Sequence, residues 1–164
     1  MSPTVVQVFQ SWRDAREYSD PTAGGALPAD VKITLLSAGL IFMLALVLGI
    51  WKYRQVLTSP DHHAHPYVDI AHRAALLYSF AALLIAVFVQ LSVWPAWVNL
   101  TAAMVLVFFF VAAILSYIVH GLKQDTDNQF ANPDRALRVG MTALIVGEVG
   151  GFGVLLAGFI AGQF

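Results

Sequence analysis

From Ala74 to Leu122 the chain runs for 49 residues without an Asp, Glu, Lys or Arg. As one helix rising 1.5 Å per residue, that run would far exceed a hydrocarbon core of roughly 30 Å, so the chain has to double back inside it. Trp94, Pro95 and Trp97 mark the turn. Proline keeps the preceding residue out of the helical region, and tryptophan favours the membrane–water interface. Two apolar spans, about 72–93 and about 96–119, are expected on either side of it.

Ile33 to Trp51 adds 19 uncharged residues, enough for another crossing at about 33–53, and the apolar stretch from about 137 to 164 supplies a fourth. The composition fits lipid as the solvent: 59% of residues are hydrophobic and 12% charged, where soluble domains run at about 45–50% and about 25%. The expected fold is an all-α integral membrane protein, a four-transmembrane-helix bundle over residues 32–164. A polar segment, residues 1–31, precedes it. That segment lacks the basic start and apolar run of a cleaved leader. Val5, Val6, Phe9 and Trp12 recur at three- and four-residue steps, which gives either a short interfacial amphipathic helix or a solvated tail.

Four crossings put both termini and the Trp94–Trp97 turn on one side. Arg13, Arg16 and Lys32 fall there, against Lys52, Arg54, Arg73, Lys123, Arg135 and Arg138 on the other. The positive-inside rule makes the second side, with loops 54–71 and 120–136, cytoplasmic, and the expected location is the inner (cytoplasmic) membrane.

Several functions are excluded by what is missing. A chain without cysteine has no disulfide, thiolate metal site, cysteine nucleophile or thiolate-ligated haem. A net charge of −1 gives no electrostatic footprint for nucleic acid. There is no Gly-x-Ser-x-Gly, phosphate loop, His-Glu-x-x-His or dinucleotide fingerprint. One carboxylate within the spans and no repeat argue against a transporter. Gly147, Gly151, Gly158 and Gly162 form small-xxx-small pairs on the last span, a packing signal within the bundle or between copies.

The polar residues carry the chemistry. All five histidines lie on the expected cytoplasmic half. His72 stands at the mouth of the second span and His120 at the end of the third. Tyr117 precedes His120 by nearly one turn, and Tyr78 lies about 9 Å deeper than His72, so the four are candidates to line one pocket. Two readings of the histidines stand side by side: interfacial rings at the headgroup level, or axial ligands of a haem, for which imidazole is the usual donor in a chain lacking cysteine. One ligand leaves an open iron position; two close both and favour electron transfer. His62, His63 and His65, beside Asp61, form a His-rich tract that either binds zinc or copper or is simply solvated. Glu148, near the middle of the last span, is a functional candidate because a carboxylate is costly there, whether protonated, paired with a polar group or facing a cavity, or else it is an interhelical hydrogen-bond partner among the glycines. Gln90 is expected to act as glue between helices, and Arg73 to meet an anion such as a haem propionate.

Three features resemble the styrene oxide isomerases, small four-span membrane proteins. The Ala71-His72 pair stands where that family carries its haem-ligating histidine. Tyr117 follows His72 by 45 residues, as the family's active-site tyrosine follows its ligand. Asn128-Gln129-Phe130 matches the Asn-Gln-Phe of the loop before the last span. The likeness covers roughly Gly39 to Phe130. It departs at Tyr78, where the family has asparagine, and less of the pattern of the hydroxylaminobenzene mutases is present. The resemblance implies a homotrimer with a b-type haem at each protomer interface and His72 as the single axial ligand. Ferric iron would act as a Lewis acid on the oxygen of a small hydrophobic epoxide, with Tyr117, and Tyr78 in place of the amide, steadying that oxygen while a hydride shift yields an aldehyde. The competing expectations are a membrane cytochrome with His72 and His120 as paired ligands, and a cofactor-free or metal-binding membrane subunit.

Overall fold

The computed structural model describes Gln7, Gln10, residues 26–131 and residues 135–164. The interfacial helix expected near the N-terminus lies outside the continuously described residues. Four helices make up the fold: α1 (Ala29–Thr58), α2 (Pro66–Leu91), α3 (Ala96–Lys123) and α4 (Arg135–Gln163). Among the described residues there is no strand. Each helix is long and apolar enough to cross a membrane.

The helix starts follow from proline. Pro28 and Pro95 stand just before α1 and α3, and Pro66 is the first residue of α2, where its missing N–H costs nothing. His65 caps α2, its ring accepting the Tyr67 N–H at 3.3 Å. α2 therefore begins six residues before the expected span, and His72 lies well inside the helix instead of opening it. α2 ends at Leu91, with Ser92 extended. α3 stops at Gln124, which takes a left-handed backbone (φ 51°) and returns its N–H to the His120 carbonyl.

Neighbouring helices in sequence pack against each other; α1 also meets α3 and α2 also meets α4, whereas α1 and α4 share no contact among the described residues. The seams are built from small side chains. Ala45, Ala71, Ala75, Ala82 and Ala103 are fully sealed, and Ala38, Ala86 and Ala102 nearly so. Such residues let helix backbones close up, which is where association energy arises when the surroundings are as apolar as the interior. The four spaced glycines of α4 have the same use within the chain. A Cβ on Gly147 would meet Phe109, one on Gly151 the Ala102 carbonyl, one on Gly158 Ser92 and Trp94, and one on Gly162 the Leu91 carbonyl. Gly150 and Gly153 face open space.

The large apolar side chains point the other way. Leu36, Leu77, Phe80, Val146 and Val149 are all more than 60% exposed, and α4 buries only 11% of its most apolar window. Gln90, expected between helices, is exposed on α2.

Candidate functional site

A cavity of about 710 Å³ opens at the histidine end, between α3 and α4. Tyr78 from α2 reaches it, Tyr117 and His120 line it from α3, and Leu144 from α4. The loop that follows α3 contributes Asn128 and Gln129 to its wall. The volume lies within the roughly 300–1,000 Å³ usual for small-molecule sites.

Tyr67, which sequence reasoning passed over, ties these pieces together. It is 3% exposed. Its ring stacks on Tyr117 (centroids 6.1 Å) and tilts against His120 (5.1 Å), while its phenol oxygen accepts the Gln129 N–H at 2.6 Å. The loop is held again where His120 Nδ1 meets Asp125 at 2.8 Å and His65 meets Asp127 at 3.4 Å. The His120 hydrogen bond holds the Asp125 carboxyl below the usual carboxylate value of 3.8. Asn128 spends its amide oxygen on the Phe130 N–H, closing the loop's own turn. Deeper in the bundle, Tyr78 lies flat on Phe110 (centroids 4.4 Å, 6° between planes).

His72 is not part of this cavity. Six residues on a helix turn the side chain through about 240° beyond a full turn, so Tyr78 cannot share a face with it. The His72 ring lies instead on α1, its Nδ1 2.9 Å from the Ala45 carbonyl oxygen and its edge over Gly49. Gly49 stands one turn beyond Ala45, and a Cβ there would come within 3.0 Å of the ring. The glycine is what opens the carbonyl to the imidazole, and a glycine in the middle of an apolar run was the available sequence signal. A carbonyl only accepts, so Nδ1 carries the proton in the neutral ring and Nε2 keeps its lone pair. No partner for Nε2 is found among the described residues. Next to it, Arg73 is exposed and pairs with Asp69 at 2.9 Å, an acid shared with Lys52.

The three loop histidines do not converge. His62 is exposed with a left-handed backbone (φ 56°), His63 Nδ1 bonds the Asp61 carbonyl, and His65 is occupied as a cap. Hydrogen bonds from Ser59 and from the His63 N–H lower the Asp61 carboxyl from its ordinary value. Among the described residues no three His or carboxylate groups come together as a metal site. Glu148 has one carboxylate oxygen, Oε1, wholly buried and without a hydrogen-bond partner. It lies within electrostatic reach of both Tyr78 and Tyr117.

No protein-family model matches the chain, and neither a curated protein nor a solved structure is similar to it.

Proposed function

We propose that the chain is a multi-pass protein of the cytoplasmic membrane and a haem b-dependent isomerase, converting a small hydrophobic epoxide to a carbonyl compound in the manner of the styrene oxide isomerases. An apolar outer surface on all four helices supports the membrane location, since side chains such as Leu77 and Val149 have no other favourable solvent. The excess of Lys and Arg at the histidine end supports a cytoplasmic side for it.

The observation that carries the enzymatic reading is the state of His72. Metal-binding imidazoles commonly donate one N–H to a carbonyl, which fixes the tautomer, aims the ring and raises its basicity. The Ala45 contact supplies that arrangement and leaves Nε2 as the free donor. The residues therefore fit a haem with one histidine ligand, and Arg73, exposed one position on, is placed for a propionate. Bound ferric haem supplies a Lewis acid for the epoxide oxygen. The phenols of Tyr78 and Tyr117 donate hydrogen bonds to the oxygen on which negative charge collects. The C–O bond breaks toward that oxygen, and a neighbouring hydride moves with its electron pair to the electron-poor carbon. The C=O bond then forms, with no atom or electron gained. The apolar side chains at the cavity's inner end, among them Phe109, Met141 and Leu144, would limit the water that traps the cation as a diol.

His72 and the tyrosine cavity lie on different faces of one chain. A shared site then takes the histidine from one copy and the tyrosines from another, which is what the homotrimer implied by the resemblance provides. A cytochrome with His72 and His120 of one chain as paired ligands is not favoured, because the His72 ring lies against α1 while His120 lines the tyrosine cavity on another face.

The test is the visible spectrum of the detergent-purified protein, with haem counted per chain. A ferric, high-spin Soret band near one haem per chain, lost in His72→Ala and kept in His120→Ala, is expected. Haem retained in full by His72→Ala, or absent from a haem-replete preparation, would falsify the reading.

A further inference from the structure

Within residues 33–51, 74–122 and 139–164, Glu148 is the one Asp, Glu, Lys or Arg. The nearest basic residue on its own helix is Arg138, ten positions away, about 15 Å along the axis. On the facing stretches of α2 and α3 there is none. A carboxylate oxygen held away from water is stabilised either by taking up a proton or by meeting a positive partner, and nothing at this depth of the chain provides the partner. Its Oε1 is buried and unpartnered.

We propose that Glu148 makes the inner end of the α3–α4 cavity a site for positive charge, and that the ligand it takes is a small aryl-alkyl ammonium ion. Leu144, which lines the cavity, is one turn from Glu148 on the same face of α4, so the carboxylate stands just beyond the cavity's inner wall. Tyr78 and Tyr117, both lining the cavity, are its electrostatic neighbours. Phe109, Met141 and Leu144 offer apolar surface to an aryl group. An anion or a neutral hydrocarbon gains nothing from such a carboxylate. Positive charge fixed on a ligand, or arising on carbon as an epoxide opens, is the charge that it stabilises.

The probe is benzyltrimethylammonium, permanently charged and unable to ligate iron, compared with its uncharged isostere neopentylbenzene. Binding is measured by isothermal titration on the full chain in detergent, with protein-free micelles as the blank. The wild type is expected to prefer the cation by at least about tenfold. Glu148→Gln is expected to abolish that preference while keeping the hydrocarbon's affinity, which also shows that the cavity is intact. Leu144→Trp, which fills the cavity, is expected to block both probes. Absence of a preference in the wild type overturns the proposal without recourse to any variant. A preference that survives Glu148→Gln or Leu144→Trp overturns it as well. Protein that takes up no haem when haem is supplied, yet shows the preference, would refute the isomerase reading and leave this one standing.

Discussion

The phenol of Tyr67 serves three neighbours at once: the Tyr117 ring, the His120 ring and the Gln129 N–H. Replacing it separates these contributions. Tyr67→Phe keeps the ring and removes the acceptor, leaving a backbone N–H unpaired at a cost of about 1 kcal/mol. Tyr67→Ala also empties a buried ring's volume, at about 3–5 kcal/mol. Thermal unfolding in detergent should therefore rank wild type, Phe and Ala in that order, and Tyr67→Phe alone should speed amide exchange at 128–130. An unchanged exchange rate in the Phe variant would mean that the hydrogen bond does not hold the loop.

Small residues decide how the helices sit. Gly158 and Gly153 are five positions apart on α4 yet meet opposite surroundings: a Cβ on the first would enter Ser92 and Trp94, and one on the second meets nothing. Gly158→Ala is expected to cost about 1–3 kcal/mol, because the obstacles are a well-packed turn and an indole whose Nε1 is fixed to the Val154 carbonyl. Gly153→Ala is expected to be neutral or to gain up to about 1 kcal/mol from helix propensity. Unfolding midpoints in one detergent test the contrast, and equal effects would refute the packing of α4 described above. The small-xxx-small pattern singled out the four glycines that do pack, Gly147, Gly151, Gly158 and Gly162, without saying whether they meet helices of the same chain or of another copy. That choice depends on where α3 and the Ser92–Trp94 turn come to lie.

At the level of the molecule, the proposed site takes His72 from one copy and the tyrosines from another, so that on this reading function belongs to more than one copy. Co-expression of His72→Ala with Tyr117→Phe should restore part of the isomerase activity that each lacks alone, through mixed assemblies in which one interface carries both intact residues. Recovery is measured as aldehyde formed per haem in the co-purified complex. If mixed assemblies form and none of the activity returns, each chain holds its own complete site.

The number of helices, their approximate reach, the Trp94–Pro95 turn and the crowding of histidines at one end were all legible in the sequence. They depend on local rules: a helix rises by a fixed amount per residue, charge is excluded from long apolar runs, and proline interrupts a helix from within. The start of α2 was missed because Pro66 reads as a breaker but serves as a first helical residue, capped by His65. What faces what was settled only by the packed helices. His72 and Tyr78 are close in sequence, yet the helical turn between them sends one to the Ala45 carbonyl and the other to the cavity. Tyr67 gained its place through partners 50 and 62 residues away, and Glu148 its nearness to Tyr78 and Tyr117 through the packing of α4 on α2 and α3. Such contacts join residues far apart in the chain, and no spacing along it encodes them.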